Sequence, residues 1–352
     1  TIREQIVGEL GAPPEKLYAH FEEEAFAAAS LGQVHRATLH DGSHVVVKVQ
    51  YPGVDKTVAQ DLKNVKALLQ TFTLIARDVL RQKVDVDGVY TELAERLGEE
   101  LDYENEARNT ERFAAMFADD DEIVIPRTFP TLVSRRVLTM SFVDGYKLAD
   151  MLNPGIDQEL KDWIAIKYFR TLWRQVFEFG TLHTDPHPGN YLVTYHPKLA
   201  ILDFGSIRIF PDAIRAEYLK LARALISRQR DDAARACVAL GYIDAGDDPQ
   251  PMLDMLDQIF DPVYEDRVYD PRDYNTMDRA MKVASISLEK RVFKSPGHGV
   301  FLIRALMGLD SYIQQFGTVA NFHRLFLECI AEAEARTAHT ARGRAKSGAR
   351  RA

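Results

Sequence analysis

The chain has 352 residues, of which 46% are hydrophobic and 27% are charged, and its formal net charge is −8. This length and composition predict a folded protein of about two domains or one large two-lobed domain, and they exclude an intrinsically disordered chain. No apolar run approaches the roughly 18 residues that a membrane-spanning helix needs. The two cysteines, Cys237 and Cys329, lie in apolar helical patterns, which favours buried thiols of a reducing compartment over a disulfide.

The two ends of the chain differ from its middle. The chain starts at Thr1 rather than Met and shows no apolar signal segment, which indicates a processed product or a piece of a longer protein. Residues 336–352 hold six basic side chains and no acidic one, so the rest of the chain carries a charge of about −14. Because phosphate backbones bind basic surfaces, we expect no nucleic-acid partner. We expect residues 336–352 to form a basic disordered tail, with a contact to anionic lipid as the alternative.

The first part of the chain mixes strands and helices. The turn from His40 to Ser43, between two β-rich runs, predicts a hairpin. In chain order, the predicted elements are a short helix within 1–20, hairpin strands at 33–39 and 44–50, helices at about 55–81 and 87–117, and two or three strands within 123–142.

The second part of the chain is predominantly helical. From Gly155 onward the apolar spacing is that of helices, interrupted only by short β-like stretches at 191–193 and 199–202. The sequence therefore predicts an α+β protein, with a small β-containing lobe at 1–143, a helical lobe at 144–335 and the basic tail.

The densest motif runs from His183 to Asn190 and is followed thirteen residues later by Asp203-Phe204-Gly205. An Asp with an Asn five residues later, then a strand pair and Asp-Phe-Gly, is typical of a kinase-like phosphoryl-transfer site. Mg²⁺ prefers oxygen ligands, and Asn190 offers an amide oxygen where Asp203 offers a carboxylate. Asp185 is predicted to orient or deprotonate the attacking hydroxyl or water.

Two histidines of this motif raise the question of a zinc site. His183 and His187 could form a pair of ligands, but no third ligand lies at a suitable spacing. We therefore expect His183 to brace the loop by hydrogen bonds instead.

A strand lysine lies upstream. Lys48 lies inside the run Val45–Val49, where burial is costly unless the ammonium is paired. In a kinase-like site such a lysine contacts the nucleotide phosphates and is fixed by a helix glutamate. The candidate acids Glu99, Asp102 and Glu106 fall near one face of the predicted helix, and spacing alone does not choose among them.

A small-residue segment precedes the hairpin. A nucleotide-covering loop at this point is ordinarily rich in Gly, because Gly lets the backbone approach phosphates closely. Here alanines occupy those places, from Ala27 to Ala29, with Ser30 after them. Composition alone favours a packing segment.

Taken in order, these segments resemble the UbiB family of atypical kinases, which are AarF-domain-containing proteins. The resemblance covers residues 1–230 closely and the rest loosely, and it implies a protein-kinase-like two-lobed fold. The matching runs are Ala27–Ala37, Val47–Val54, Glu100–Asn109, His183–Asn190 and Leu202–Gly205.

The resemblance implies a role for each matching residue. In the family, the alanine-rich nucleotide loop alters nucleotide preference and suppresses ordinary protein-kinase behaviour. Glu100 and Asp102 resemble the family's Glu-x-Asp motif. The residues implied to be catalytic are Asp185, Lys48 and Glu106. The implied Mg²⁺ ligands are Asn190 and Asp203. The residues implied to bind ATP or ADP are Ala27, Ala28, Ala29, Ser30, Val34, Lys48, Glu100 and Asp102.

The sequence departs from the family pattern in two places. The family's Lys-x-Gly-Gln motif, which covers the active site and pairs with the Glu-x-Asp acids, is expected upstream of residue 1. Its absence indicates a piece of a longer protein, and the motif residue expected to pair with Glu100 is missing with it. The C-terminal membrane helices of some bacterial members are also absent. The run Gly299–Leu309 is amphipathic and too short to span a bilayer.

The resemblance implies a Mg²⁺-ATP-dependent ATPase or phosphotransferase in ubiquinone biosynthesis or lipid homeostasis, with a lipid or quinone precursor as partner. Few residues separate Gly205 from the helical pattern at Pro211, which disfavours a peptide substrate because protein kinases need a long activation segment there. The alternatives are a nucleotide-sensing scaffold without phosphoryl transfer and an enzyme like aminoglycoside or choline kinases, which carry Asp-x-Asp at this point. A cytoplasmic location, with peripheral contact at the inner face of a bacterial membrane, is preferred over the mitochondrial matrix.

Overall fold

The fold divides into two compact units. The computed structural model describes residues 1–75, 86–273, 281–282 and 296–348. Unit 1 comprises Thr1–Gly145 and Thr194–Ser206, and unit 2 comprises Tyr146–Val193 and Ile207–Ala352. The first break at Gly145 lies two residues from the predicted end of the β-containing lobe.

Helices occur in both units. In chain order, the helices of the described residues are α1 Ile2–Leu10, α2 Pro14–Leu17, α3 Val54–Ile75, α4 Val86–Glu100, α5 Tyr103–Met116, α6 Gln158–Arg174, α7 Asp212–Ile226, α8 Arg230–Ala239, α9 Gln250–Tyr264, α10 Gly297–Phe316 and α11 Phe322–Gly348. Shorter turns of 3₁₀ or π type lie at Leu148–Leu152, Gln175–Phe179, Pro188–Asn190 and Pro271–Asp273. The predicted helix at 55–81 corresponds to α3, and its last residues, 76–81, lie outside the described residues.

Strands are short in both units. In chain order they are β1 His20–Phe21, β2 Ala27–Ala29, β3 Gly32–Thr38, β4 His44–Gln50, β5 Ile123–Val124, β6 Thr128–Ser134, β7 Val137–Ser141, β8 Tyr146–Lys147, β9 Thr181–His183, β10 Tyr191–Val193, β11 Leu199–Ile201 and β12 Ile207–Ile209. The strands expected within 123–142 and the hairpin at β3 and β4 are thus present.

The main sheet of unit 1 is antiparallel, with strand order β1-β3-β4-β7-β6 and β2 paired with β3. Successive side chains of a strand point to opposite faces of the sheet. On one face, Val45, Val47 and Val49 of β4 are buried in a core cluster with Ile6 of α1 and with Tyr18. On the other face, β4 faces α5.

That second face positions the lysine. Val46 packs against a buried cluster that contains Tyr103 of α5 and Leu138 of β7. Lys48 follows Val46 by two residues, so its side chain leaves the sheet on the same face, toward α5. The alternation of β4 therefore determines which helix can provide a partner for Lys48.

The predicted long helix at 87–117 is two helices. Asp102 interrupts it with a non-helical backbone (φ −123°, ψ 86°), and its side chain accepts the backbone N–H of Asn105 at 2.8 Å. A side chain that accepts this bond starts a new helix, because it satisfies an otherwise unpaired N–H of the first turn. The prediction that Glu99, Asp102 and Glu106 share one helical face is therefore wrong.

Strand β11 belongs to unit 1 although it lies late in the chain. It pairs in parallel with β5, and Leu199 lies opposite Ile123. The Asp-Phe-Gly motif begins two residues after the end of β11 and also belongs to unit 1. The sequence predicts this motif within the helical lobe at 144–335, and the structure corrects that assignment, because strand pairing joins residues that chain order separates.

Unit 2 is mainly helical and contains an aromatic core. Trp173 of α6 packs on Phe177 with ring centroids 4.9 Å apart and on Phe326 of α11 with centroids 4.7 Å apart. Cys237 and Cys329 are buried and free, and burial raises the pKa of each thiol to about 12. The prediction of buried thiols is confirmed.

Helix α11 extends into the basic segment. The sequence predicts a disordered tail at 336–352, and the structure corrects this for 336–348, which are helical. Alanine is the strongest helix former, and alanines recur through this segment. Arg336 also pairs at 3.3 Å with Glu178, whose side chain is 2% exposed. Within the described residues, no helix is both long and apolar enough to cross a membrane.

Candidate functional site

Unit 1 contains a buried cation between two carboxylates. Lys48 Nζ donates to Glu106 Oε1 at 2.6 Å and to Asp203 Oδ2 at 3.0 Å. The side chains of Lys48 and Glu106 are 10% and 3% exposed, whereas that of Asp203 is 35% exposed. The structure therefore brings together three residues that span 155 positions of the chain, and it leaves Asp203 as the carboxylate that solvent reaches.

The charges of these groups depend on one another. Burial lowers the pKa of Lys48, but the carboxylates of Asp203 and Glu106 outweigh it and hold that pKa well above its ordinary value. Burial and the charge of Asp203 raise the pKa of Glu106 to about 7, although Lys48 acts in the opposite direction. The lysine is thus a fixed cation, with one buried and one accessible acidic partner.

Asp203 is held by the chain that follows it. The backbone N–H of Gly205 donates to Asp203 Oδ1 at 3.0 Å. Phe204 is fully buried and packs on Phe113 of α5 with ring centroids 4.9 Å apart. Its carbonyl accepts the side-chain amide of Asn109, also on α5, at 3.0 Å. Helix α5 therefore anchors the Asp-Phe-Gly motif and provides Glu106 at the same time.

The alanine-rich segment is a strand. Ala27 to Ala29 form β2, which pairs with β3, and the side chains of Ala27 and Ala28 are exposed. A Cβ at Gly32 would lie 2.2 Å from the carbonyl oxygen of Val49, so only glycine allows this approach of β3 to β4. Ser30 is exposed beside the strand.

Val34 of β3 and Glu100 of α4 lie beside residues of this site. Val34 is half-buried and lies opposite Lys48 in the β3–β4 register. A Cβ at Gly205 would lie 3.9 Å from Glu100 Oε1, which places Glu100 beside the Asp-Phe-Gly motif. Asp102 has a structural role at the start of α5, as described above.

Unit 2 holds the loop from His183 to Asn190. Asn190 Nδ2 donates to Asp185 Oδ2 at 2.7 Å, so the structure brings together the Asp and the Asn of the motif. This bond directs the amide nitrogen toward Asp185 and leaves the amide oxygen of Asn190 for another partner. A magnesium ligand needs such an oxygen, and the arrangement is compatible with that use.

The loop is braced at both ends. His183 is buried, and its backbone N–H donates to Gln175 Oε1 at 2.7 Å. His187 is exposed, and its Nδ1 accepts the backbone N–H of Gly189 at 3.0 Å. Within the described part of the chain, no group of three or more His, Cys, Asp or Glu side chains is placed to hold a metal ion.

Sequence reasoning missed Arg304. This residue of α10 donates through Nη2 to Asp185 Oδ1 at 3.1 Å, from a position 119 residues further along the chain. The sequence predicts only an amphipathic helix in this region. Nothing in the spacing of α10 marks Arg304 as a partner of the loop, because the contact depends on how α10 packs within unit 2.

These features match a known family. Residues 1–237, about two thirds of the chain, match the family model described as the ABC1 atypical kinase-like domain. The chain belongs to this family, the UbiB family. The family assignment and the α+β kinase-like fold predicted from the sequence are both confirmed.

Individual members of the UbiB family are similar in sequence to this chain. Atypical kinase COQ8, mitochondrial, of Saccharomyces cerevisiae is 31% identical over 330 residues, which cover 92% of this chain and 64% of COQ8. Protein ACTIVITY OF BC1 COMPLEX KINASE 3, chloroplastic, of Arabidopsis thaliana is 34% identical over 270 residues, which cover 73% of this chain and 36% of that protein. The chain thus spans less than two thirds of the length of either relative.

A solved structure has a similar fold. It is that of Rv3197 of Mycobacterium tuberculosis in complex with erythromycin, with a TM-score of 0.72 and 24% sequence identity. The match covers 92% of this chain and 81% of Rv3197. At this identity the likeness concerns the fold alone, and it extends over nearly the whole chain.

Proposed function

We propose that this UbiB-family chain is a Mg²⁺-ATP-dependent ATPase or phosphotransferase that acts on a small lipid or quinone precursor. The proposal includes a role in ubiquinone biosynthesis or lipid homeostasis, as the family resemblance implies. The observation that carries it is the buried Lys48, paired at once with Glu106 of α5 and with Asp203 of the Asp-Phe-Gly motif. Kinase-like sites use a lysine and a helix glutamate in this way to hold nucleotide phosphates.

The residues of unit 1 fit the charge of a nucleotide. ATP would supply the phosphoryl group and Mg²⁺ would neutralise its charge. Lys48 would bind phosphate oxygens, because its ammonium stays protonated and Glu106 fixes its direction. Asp203 is the exposed acidic partner and would hold Mg²⁺, with Gly205 orienting its carboxylate. Mg²⁺ is commonly bound through one or two carboxylates and substrate phosphates, so a dedicated cluster of acids is not needed.

We also propose roles for Asp185 and Asn190, which belong to unit 2. The carboxylate of Asp185 would orient the attacking hydroxyl or water and accept its proton. Asn190 would offer its amide oxygen to Mg²⁺, since its amide nitrogen is bonded to Asp185. Neither role depends on a residue of the alanine-rich strand. For Ala27 to Ser30, and for Val34 beside them, we propose contacts to ATP or ADP.

The acceptor is proposed to be small. Only Ser206 to Pro211 separate the Asp-Phe-Gly motif from α7, and Ile207–Ile209 of this segment form β12, which pairs with β9. A protein kinase docks peptides on a long segment at this point, which the described chain does not contain. A lipid or quinone precursor needs no such segment. Contact with a membrane surface is part of this proposal.

The test is ADP release from Mg²⁺-ATP by the wild-type chain and by Asp203→Asn. We expect the variant to lose on the order of 10³-fold in kcat, because it loses a charge that stabilises the transition state. Asp212→Asn is the matched control, since its side chain is 83% exposed and pairs with Arg215 outside the candidate site. Anionic liposomes are added to test the membrane part, and EDTA to test the metal.

Unchanged turnover in Asp203→Asn, with its fold intact, would overturn the proposal. Turnover that persists in EDTA would remove Mg²⁺ from it. If liposomes leave turnover unchanged, the membrane contact is dropped and the ATPase stands.

A nucleotide-sensing scaffold is the second candidate. The observation that favours it is β2, where exposed Ala27 and Ala28 form a paired strand in place of a glycine-rich loop. This candidate predicts that an Asp185→Ala variant still captures partner proteins in an ATP-dependent way. Loss of capture in that variant would count against the scaffold and favour catalysis.

A further inference from the structure

Helix α10 contacts the loop at successive turns of one face. Arg304 donates to Asp185 Oδ1 at 3.1 Å, and the hydroxyl of Tyr312 donates to the carbonyl of Pro186 at 3.0 Å. Between them, a Cβ at Gly308 would lie 2.6 Å from Pro186 Cβ, so the helix and the loop are in close contact there. Residues four and eight positions apart share one helix face. The face that carries Arg304 is therefore fixed against the loop by two further contacts.

Both oxygens of the Asp185 carboxylate have a donor. Asn190 Nδ2 donates to Oδ2 at 2.7 Å, and Arg304 Nη2 donates to Oδ1 at 3.1 Å. Two donors on opposite oxygens restrict rotation of the carboxylate about its last bond. Without Arg304, only the bond from Asn190 would oppose that rotation.

We infer that Arg304 is a positioning residue that holds the carboxylate of Asp185 in the orientation used for phosphoryl transfer. The inference rests on the proposed function, since it assigns Arg304 to the step in which Asp185 receives the proton of the nucleophile. Arg304 acts through Asp185. It is not assigned to nucleotide binding.

Loss of a positioning residue lowers turnover, whereas loss of a purely structural residue lowers stability. The side chains of Arg304 and Asp185 are 45% and 38% exposed, and ion pairs with this exposure contribute little to stability. A misplacement of a reacting group by about 1 Å can cost on the order of 10²-fold in rate. Arg304→Ala should therefore reduce turnover strongly and stability slightly.

The experiment compares the ATPase activity of Arg304→Ala, Arg304→Lys and wild type. We expect Arg304→Ala to lower kcat by about 10- to 100-fold with the KM for ATP changed less than about twofold. Arg304→Lys should restore part of kcat, because a single N–H contact can be made by an ammonium. Arg324→Ala is the control, since Arg324 pairs with Asp266 on the surface of unit 2 and should leave both constants unchanged.

A double variant tests whether the effect passes through Asp185. In an Asp185→Asn background, Arg304→Ala should cause no further loss of kcat, because the group that it positions is already disabled. Additive losses would overturn the inference. Turnover that rises in Arg304→Ala would overturn it too, since the pair would then be inhibitory.

A second readout is independent of turnover. Hydrogen exchange of the backbone N–H groups of Gly189 and Asn190, which are bonded to His187, should speed up in Arg304→Ala but not in Arg324→Ala. Unchanged exchange in Arg304→Ala would overturn the positioning role whatever the turnover. Absence of ATP hydrolysis by wild type, with accelerated exchange in Arg304→Ala, would refute the proposed function and confine Arg304 to holding the loop.

Discussion

Replacing Lys48 by Met removes the buried cation that bonds to Glu106, and it tests the buried ion pair directly. Glu106 is 3% exposed and 2.6 Å from Lys48 Nζ, so the variant leaves a carboxylate in a buried site beside Asp203. Breaking a buried pair by removal of one partner typically costs about 3–5 kcal/mol, because the remaining charge is uncompensated. We therefore expect Lys48→Met to lower the free energy of unfolding by about 3 kcal/mol at pH 8.

The cost should depend on pH. The folded-state pKa of Glu106 is about 7, raised by burial and by Asp203 above its ordinary 4.5. A raised folded pKa means that stability is greatest below the unfolded pKa and is lost as pH rises through the folded one. Removal of Lys48 raises the pKa of Glu106 further, so the variant goes on losing stability above pH 7, by about 1.4 kcal/mol per pH unit. The difference between variant and wild type should therefore grow from pH 7 to pH 8.

Urea unfolding of both proteins at pH 6, 7 and 8 measures this difference. Lys220→Met is the control, because Lys220 is 67% exposed and pairs with Glu217 on the surface. Lys220→Met should change the free energy of unfolding by no more than about 0.5 kcal/mol at each pH. Lys48→Met with Glu106→Gln should recover part of the loss at pH 8. A cost for Lys48→Met that is the same at all three pH values would refute the reasoning.

Two further predictions concern the elements that position Lys48 and Glu106. Gly32→Ala should destabilise unit 1 by about 1–3 kcal/mol in urea unfolding, because its Cβ meets the backbone of β4 at 2.2 Å. Gly8→Ala in α1, where nothing lies within 4 Å, should be neutral or stabilising, and equal costs at both sites would contradict this. Asp102→Ala should cost about 1 kcal/mol by loss of the cap at α5, while Asp102→Asn keeps most of it. If Asp102→Asn unfolds as readily as Asp102→Ala, the cap is not what Asp102 contributes.

Local patterns were sufficient to predict the hairpin that carries Lys48. The alternation of β4 and the turn before it are properties of a few adjacent residues, and the structure follows them. The pairing of Asp185 with Asn190 is likewise a local feature, because both residues lie on one short loop, where they bond to each other.

Residue spacing alone does not predict the acidic partners of Lys48 or the contact of Asp185 with Arg304, because these depend on contacts between residues far apart in the chain. Spacing offers three acids for Lys48, and the break at Asp102 places Glu99 and Glu106 on different helices. A single aspartate in an apolar-periodic run is compatible with a continuous helix, so the break has no strong signal. Arg304 lies 119 residues after Asp185, and no local pattern could link them.

Strand β11 belongs to unit 1 but is synthesised long after residues 1–145 of that unit. A ribosome that has synthesised residues 1–145 has produced Lys48 and Glu106 but not Asp203, and β5 still lacks its partner strand β11. Unit 1 is completed only when Ser206 has been added, about 60 residues later, which takes several seconds at roughly 5–20 residues per second. Until then Lys48 has one acidic partner in place of two. A gene segment that ends at residue 145 would therefore encode unit 1 without β11 and without Asp203.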